Sequence, residues 1–410
     1  MDKKDIKKYS ELLIKCGVSL QKGQPLVIVA QVNVAPFIEE LVKTAYKCGA
    51  KRVEILWEDE IVEKLGYRYR KIKDLSIVPD WQIAEREYYI DEKIAYLVIL
   101  SDDPDAFKGV SVEKSSALRR ARGKAFEKFR SYTSSNKIRW CIAGFPSEKW
   151  AKKMFPTLSK SKAVEMQWKC IANSVRLFDD NPIEAWKKHN ENLKARCEKL
   201  NSAKIKYFYY KSSSGTDFKI GMPENYRFLG GAEEGTLDGV PFNANMPSEE
   251  VFASPDKYTA EGILVSAMPL CRNGQIIKDF YLKFKDGKII DYGAKEGEEN
   301  LKSIIETDEG SHYLGEIALI GYNSPIREMG VLFYETLYDE NASCHFAIGD
   351  CYPSCVLGGE DMTKEELEKN GLNSSIEHVD FMVGTKDLSI TAETVDGKII
   401  TVFKDGDWVI

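Results

Sequence analysis

Apolar residues near the start of the chain alternate between short continuous runs and a stretch with helical spacing. Leu26 to Ala30 is a continuous apolar run, Pro36 to Cys48 has helical spacing and is followed by Gly49, and Arg52 to Trp57 has the pattern of a second strand. Short apolar runs predict buried strands, a longer stretch with a period of about 3.6 residues predicts a helix, and glycine commonly follows a helix C-terminus. This part of the chain is therefore predicted to form a β-α-β unit.

The same alternation continues through the following residues. A strand is expected at Ile94 to Leu100, a long helical stretch at Val112 to Tyr132 and a strand at Ile138 to Ala143. Two further helices are expected at Ser161 to Val175 and at Pro182 to Asn201, the second with an asparagine N-cap before its proline. Strands that alternate with helices predict a mostly parallel sheet covered by helices on both faces.

From Lys204 onward the pattern changes to short strands separated by tight turns. Asp286-Gly287 and Asp396-Gly397 each lie between two such runs, and Asp-Gly favours a two-residue hairpin because both positions tolerate positive φ. The expected strands are Lys206 to Tyr210, Phe280 to Phe284, Ile289 to Tyr292 and Leu388 to Val395.

These patterns predict two domains of different class. Residues 1–203 are expected to form an α/β N-terminal domain with a mostly parallel sheet. Residues 204–410 are expected to form a β-rich α+β C-terminal domain, which carries the candidate catalytic residues considered below.

Composition and charge restrict the kinds of partner. Hydrophobic residues make up 43% and charged residues 30% of the 410 positions, which is typical of a folded protein with more than one domain. A net charge of −6 and a pI near 5.6 argue against nucleic-acid binding. No apolar run approaches roughly 18 residues, and no secretory apolar segment follows Met1 to Lys8. We therefore expect no membrane segment and a cytoplasmic location.

The nine cysteines are odd in number and scattered, which predicts reduced thiols rather than a disulfide framework. Cys351 and Cys355 are close in sequence, and a metal-binding or redox pair is one interpretation. Their C-x3-C spacing has no second pair, so buried free thiols are the favoured interpretation.

Several common enzyme motifs are absent from the sequence. No G-x-G-x-x-G follows the first strand, no G-x4-G-K-[ST] occurs, and the glycines at Gly310 and Gly315 are followed by Glu316 instead of lysine. The H-E-x-x-H zinc motif and the G-x-S-x-G nucleophile turn are also missing. A dinucleotide or phosphate-loop enzyme is therefore disfavoured, and any hydrolytic site must be built from other residues.

Histidines are rare, and three of the four lie in the last third of the chain. A strand through His378 and Asp380 would place the imidazole and the carboxylate on one face. Glu340 precedes His345 by a short segment that contains the turn-forming Asn341. Carboxylate and imidazole ligands suit zinc, cobalt or manganese, although an isolated His or H-x-D is more often structural.

Two further carboxylates lie upstream of these histidines. Glu316 lies inside the apolar segment Leu314 to Ala318, where a charge is costly unless it has a partner or a metal. Glu250 by itself is compatible with a turn or a surface position.

Five segments between Asn245 and Gly384 follow the order of a known family. They are NMPSEEVF, LGEIAL, GYNSPI, YDENASCHFAIG and EHVDFMVG. In these segments the chain resembles the aminopeptidase T (M29-type) family of metallopeptidases, and its domain size and order fit that family throughout. One departure is Ala253 with Ser254 after Phe252, where the family pattern has threonine directly after the phenylalanine. No ligand position is lost.

The resemblance implies a site with two divalent cations, a catalytic tyrosine and a homodimer. Tyr352 matches the catalytic tyrosine, with a packed core aromatic as the alternative interpretation. Glu316 is implied to bridge the two cations, which are zinc, cobalt or manganese. The implied metal ligands are Glu250, Glu316, Glu340, His345, His378 and Asp380.

Such a site predicts removal of the N-terminal residue from peptides with a free N-terminus. Two cations about 3.5–4 Å apart can share a water, lower its pKa and stabilise the tetrahedral intermediate, and one of them can bind the free amine. The Tyr352 hydroxyl is expected to donate to the developing oxyanion. Glu249 is a candidate base, but on an extended segment its side chain would point away from Glu250. A non-peptidase binuclear metallohydrolase is the alternative function.

Overall fold

The computed structural model describes residues 1–272 and 274–410. Compact packing divides the chain into two units. The first unit comprises Met1–Lys187 and Ala232–Pro247, and the second comprises Lys188–Gly231 and Ser248–Ile410. The division into domains at 203 and 204 stays a prediction.

A five-stranded parallel sheet organises the first unit. The predicted β-α-β unit is confirmed, because Pro25–Gln31 pairs in parallel with Arg52–Glu58 and the helix Ala35–Lys47 connects them. Gly49 follows that helix with φ of +95°. In spatial order the strands are Arg52–Glu58, Pro25–Gln31, Ala95–Leu100, Trp140–Gly144 and Asn245–Met246.

The helices predicted in the first unit are present, and further helices accompany them. The helical stretch expected from Val112 to Tyr132 is confirmed, but the structure divides it into two helices at Phe126, where φ is −104° and ψ is 16°. Gly123 weakens the last turn of the first helix, and the Arg86 guanidinium lies 5.4 Å from the centre of the Phe126 ring. A π-helix at Leu13–Gly17 directly follows the first α-helix. The α-helices longer than four residues are Lys3–Leu12, Ala35–Lys47, Glu60–Tyr69, Asp80–Asp91, Val112–Ala125, Glu127–Ser134, Glu148–Met154, Lys160–Ser174 and Pro182–Ser202.

The helix Pro182–Ser202 runs from the first unit into the second. Its predicted asparagine N-cap is confirmed, because the Asn181 side-chain oxygen accepts a hydrogen bond from the backbone N–H of Glu184 at 3.4 Å. Among the residues the structure describes, no helix combines the length and apolar composition required to cross a bilayer.

Two antiparallel sheets form most of the second unit. The larger sheet has nine strands, and the smaller one has four. Rings of Phe218, Tyr210 and Phe346 meet edge to face in the core, with Phe346 contributed by the smaller sheet. The larger sheet contains Ile205–Lys211, Asp217–Gly221, Asp256–Val265, Leu270–Arg272, Gln275–Lys285, Lys288–Glu296, Ser389–Thr394, Ile399–Lys404 and Asp407–Trp408.

The two predicted Asp-Gly turns differ in the structure. Asp286 and Gly287 both have positive φ, 49° and 81°, and they join two paired strands as a two-residue hairpin. At the second turn only Gly397 has positive φ, 82°, and the last paired residues are Glu393 and Ile399. The two-residue hairpin expected at Asp396-Gly397 is therefore wrong. The turn is longer because the Thr394 hydroxyl donates to the Asp396 carboxylate and accepts from the backbone of the connection.

Replacing Gly287 by alanine is expected to lower the thermal stability more than the same change at Gly397. Both substitutions force alanine into the left-handed region, which costs about 1–2 kcal/mol. A Cβ atom at Gly287 would also lie 1.9 Å from the carbonyl oxygen of Lys257, whereas a Cβ atom at Gly397 would have no described atom within 4 Å apart from those of its two chain neighbours. Scanning calorimetry of the two variants measures the difference, and equal Tm values would contradict the close approach at Gly287.

Candidate metal centre

The four-stranded sheet of the second unit brings the candidate ligands together. Its strands, in spatial order, are Val251–Ala253, Leu314–Leu319, His345–Gly349 and His378–Met382. Opposite residues of antiparallel strands point to the same face, and alternate residues share a face. Within this sheet His345 and His378 begin two of the strands, and Glu250 immediately precedes a third.

Ala347 lies at the centre of this arrangement. It pairs with Glu316 on one side and with Asp380 on the other, so both carboxylates project from the same face as Ala347. His345 is two residues away on the same strand, and His378 is two residues from Asp380. The sheet therefore presents all four candidate ligands on one face, as predicted for His378 and Asp380.

A β-bulge at Gly315 decides the face on which Glu316 lies. Leu314 pairs with Ile348, but Glu316 pairs with Ala347, so the strand gains one residue between them. Without the bulge, Gly315 would pair with Ala347, and alternation would turn Glu316 to the face of Leu314, which belongs to the hydrophobic core. Glycine is required there, because a Cβ atom would lie 2.0 Å from the carbonyl oxygen of Asp350.

Two overlapping groups of ligand atoms result. In the first, one donor atom each from Glu250, Glu316 and His345 lies within 4.8 Å of the others, and His345 Nε2 is 3.4 Å from Glu250 Oε2. In the second, His378 Nε2 lies 3.1 Å from Glu316 Oε2 and 3.2 Å from Asp380 Oδ1. Glu316 belongs to both groups.

Glu340 belongs to neither of these groups, although it lies near them. The residue is half-buried, and desolvation of its carboxyl group together with the neighbouring charges of Asp380, Glu250 and Glu316 raises its pKa well above the usual value. The structure thus places five of the six predicted ligands in two tight groups and the sixth beside them.

Both histidines are held by backbone carbonyl groups. The Nδ1 atom of His345 lies 2.9 Å from the carbonyl oxygen of Glu340, and that of His378 lies 2.9 Å from the carbonyl oxygen of Asp350. Donation from Nδ1 to a carbonyl leaves Nε2 as the lone-pair atom that faces the carboxylates. This orientation is the one that metal-binding histidines adopt.

The buried carboxylates repel one another and would be stabilised by divalent cations. Glu316 is 3% exposed and Asp380 is 8% exposed. Among the described residues, no lysine or arginine lies within ion-pairing distance of Glu316, Glu340 or Asp380. Several carboxylates buried without such a partner repel one another, and carboxylate and imidazole atoms are ordinary ligands of zinc, cobalt and manganese.

Tyr352 lies at the edge of the second group. Its hydroxyl is 3.5 Å from His378 Nε2, and its ring meets the imidazole edge to face at 5.1 Å. The residue as a whole is 41% exposed, so the packed core position considered as an alternative is wrong. Burial of the hydroxyl and the nearby carboxylates raise the pKa of Tyr352 well above its usual value, so the hydroxyl is protonated.

Ser254 holds the backbone of Tyr352 and was not identified from the sequence. The buried Ser254 hydroxyl accepts a hydrogen bond from the Tyr352 N–H at 3.0 Å and donates to its carbonyl oxygen at 3.3 Å. These two residues are 98 positions apart, so only the folded chain shows their contact. The departure noted after Phe252 therefore lies beside a residue that supports the tyrosine.

Glu249 and the cysteines of this region lie outside the two groups. The Glu249 carboxylate is 3.8 Å from His189 Nε2, in agreement with a side chain that points away from Glu250. Cys351 and Cys355 are buried free thiols as predicted, and burial together with Asp350 raises the pKa of Cys351 to about 12.

Comparisons with known proteins extend over the whole chain. The family model described as thermophilic metalloprotease (M29) matches residues 2–408. Aminopeptidase AmpS of Bacillus subtilis (strain 168) is 42% identical over 400 residues, which cover 98% of this chain and 97% of the relative. Aminopeptidase PepS of Streptococcus thermophilus is 39% identical over 409 residues, which cover 100% and 98% of the two chains. The structure of wild-type AmpT from Thermus thermophilus matches with a TM-score of 0.93 at 30% identity, covering 100% of both chains.

These similarities confirm the resemblance stated from the five sequence segments. They favour a peptidase over the non-peptidase metallohydrolase that the sequence left open. The chain therefore belongs to the thermophilic metalloprotease family M29 and is a metallo-aminopeptidase.

Proposed function

We propose that this enzyme removes the N-terminal residue from peptides with a free N-terminus, using two divalent cations held in the second unit. The proposal rests on the position of Glu316, whose buried carboxylate belongs to both groups of ligand atoms. One carboxylate has two oxygen atoms and can bind two cations side by side. The proposed ligands are Glu250, Glu316, Glu340, His345, His378 and Asp380.

The chain's own residues contribute charge, orientation and a hydrogen-bond donor. The carboxylates supply negative charge that favours cations, and the carbonyl groups of Glu340 and Asp350 fix the orientation of the two imidazoles. When bound, zinc, cobalt or manganese would activate a shared water and polarise the scissile carbonyl. The Tyr352 hydroxyl is proposed to donate to the oxyanion that develops on that carbonyl.

Peptides with a free N-terminus are the proposed substrates, since the relatives of known name are aminopeptidases. Glu249 is not proposed as the general base, because its carboxylate lies beside His189. A homodimer and a cytoplasmic location remain predictions.

A set of matched tripeptides tests the direction of cleavage. Leu-Gly-Gly should release free leucine, and N-acetyl-Leu-Gly-Gly should react at least about tenfold more slowly, because acetylation removes the basic amine and adds bulk at the first residue. The C-terminally amidated peptide should react as fast as the free one. A chelator should stop all turnover, and added Co²⁺ or Zn²⁺ should restore it. Equal turnover of the acetylated and free peptides would contradict the proposed direction.

A further inference from the structure

Asn341 follows the candidate ligand Glu340 directly and is fully buried, at 0% exposure. A buried side-chain amide is costly unless both its oxygen and its nitrogen have partners. Asn341 lies in the short 3₁₀ helix Glu340–Ala342, and its side chain leaves that helix to contact a distant segment.

The side chain of Asn341 connects two backbone groups. Its Oδ1 accepts a hydrogen bond from the N–H of Glu249 at 2.7 Å, and its Nδ2 donates to the carbonyl oxygen of Leu337 at 2.9 Å. The two partners fix the orientation of the amide, because the reversed amide would place donor against donor and acceptor against acceptor. Glu249 is 92 positions from Asn341, so the contact joins separate parts of the chain.

Both joined segments carry a candidate ligand. Glu250 follows Glu249, and Glu340 lies between Leu337 and Asn341. The segment that carries Glu250 is also held one residue earlier, where His189 Nε2 lies 2.8 Å from the Ser248 carbonyl oxygen. Asn341 is therefore the side chain that ties the backbone beside Glu250 to the backbone beside Glu340.

The turn that carries Glu340 is held from its other side as well. Asp339 Oδ1 accepts a hydrogen bond from the N–H of Phe333 at 2.7 Å, and Oδ2 accepts from the N–H of Glu335 at 3.2 Å. Three consecutive residues therefore have three different contacts. Asp339 binds the backbone of the preceding loop, Glu340 lies near the candidate ligands, and Asn341 binds the backbone of Glu249.

We infer that Asn341 is a positioning residue that holds the backbone beside Glu250 and beside Glu340, so that both carboxylates face the proposed metal centre. This inference rests on the proposed metal centre. The proposed ligands include four carboxylates, which repel one another before a cation binds, so an unrestrained backbone would let Glu250 and Glu340 move away from the centre. Holding them in place lowers the cost of assembling the ligands, which is the usual role of residues that support metal ligands.

Cobalt binding to the metal-free protein tests this role without measuring activity. Asn341→Leu has a similar shape but neither hydrogen bond, and it should weaken Co²⁺ binding about 10–100-fold by isothermal titration calorimetry. The visible absorption bands of bound Co²⁺ should also change, since they report the arrangement of the ligands. Asn341→Asp keeps the acceptor for the Glu249 N–H and should bind Co²⁺ more tightly than Asn341→Leu does.

Asn201→Leu is the matched control. Asn201 also bridges two backbone groups in the second unit, donating to the Phe228 carbonyl at 3.0 Å and accepting from the Phe228 N–H at 2.7 Å. This variant should lose thermal stability but keep the Co²⁺ affinity and absorption bands.

Unchanged Co²⁺ binding in Asn341→Leu, or an equal loss in Asn201→Leu, would overturn the positioning role. If Asn341→Leu does not fold, Asn341→Ala takes its place, and wild-type Co²⁺ affinity and absorption bands in Asn341→Ala would likewise overturn the positioning role. Absence of Co²⁺ binding in the wild-type protein would instead overturn the metal centre itself.

Discussion

Replacing Glu316 by glutamine is expected to remove the ability of the enzyme to hold two cations. The amide keeps the shape of the side chain but has one oxygen and no negative charge, so it cannot serve both groups of ligand atoms. Loss of a residue that merely supports a ligand costs about 10–100-fold in metal affinity, so loss of the shared ligand should cost more than about 100-fold. Elemental analysis after dialysis should show fewer than two ions per chain, and peptide hydrolysis should fall in parallel.

Glu393→Gln provides the control for this variant. Glu393 lies in the larger sheet, and its Oε2 accepts a hydrogen bond from the Tyr209 hydroxyl at 2.6 Å. It belongs to neither group of ligand atoms, so this variant should keep the wild-type metal content and rate. A Glu316→Gln protein that still binds two ions per chain would show that Glu316 does not bridge them.

The hydroxyl of Tyr352 is expected to matter for the rate but not for the metal content. Tyr352→Phe keeps the ring that packs edge to face on Phe252 and His378, and it removes only the hydrogen-bond donor. Loss of one donor to a developing oxyanion lowers kcat by about 10²–10³. Because that contact is made in the transition state, kcat and kcat/KM should fall together while KM stays nearly constant.

Tyr209→Phe is the matched variant, since it removes a hydroxyl of the same unit that contacts Glu393. It should leave kcat and metal content unchanged. If Tyr352→Phe hydrolyses Leu-Gly-Gly at the wild-type rate with full metal content, the tyrosine has a structural role only.

The local pattern of the sequence predicted the elements well and predicted their ends less well. The strand at Pro25–Gln31 and the helix that follows it were predicted correctly, because a continuous apolar run and a helical spacing of apolar residues can be told apart within a few residues. The division at Phe126 was not predicted, because an isolated glycine such as Gly123 is tolerated inside a helix and the Arg86 contact with the Phe126 ring joins residues far apart in sequence. The longer turn at Gly397 was missed because the Thr394 side chain competes for its backbone groups.

The residue types and the order of the candidate ligands were predicted from the sequence, but the residues that hold the site in place were not. His378 and Asp380 could be placed on one face because strand alternation requires only their spacing. The contacts of Ser254 with Tyr352 and of Asn341 with Glu249 join residues more than ninety positions apart. No local pattern contains such contacts, and their residue types are common in ordinary turns.

The bulge at Gly315 makes the orientation of Glu316 sensitive to the register of its strand. If the ladder ran without the bulge, Gly315 would pair with Ala347 and Glu316 would lie opposite Phe346, in the hydrophobic layer beneath the sheet. A buried carboxylate in that layer and a missing ligand would result from this one-residue slip, without a change in any side chain. Homologous chains are thus expected to keep both the bulge and the glycine that allows it, because the chemistry of Glu316 depends on a register that composition alone does not reveal.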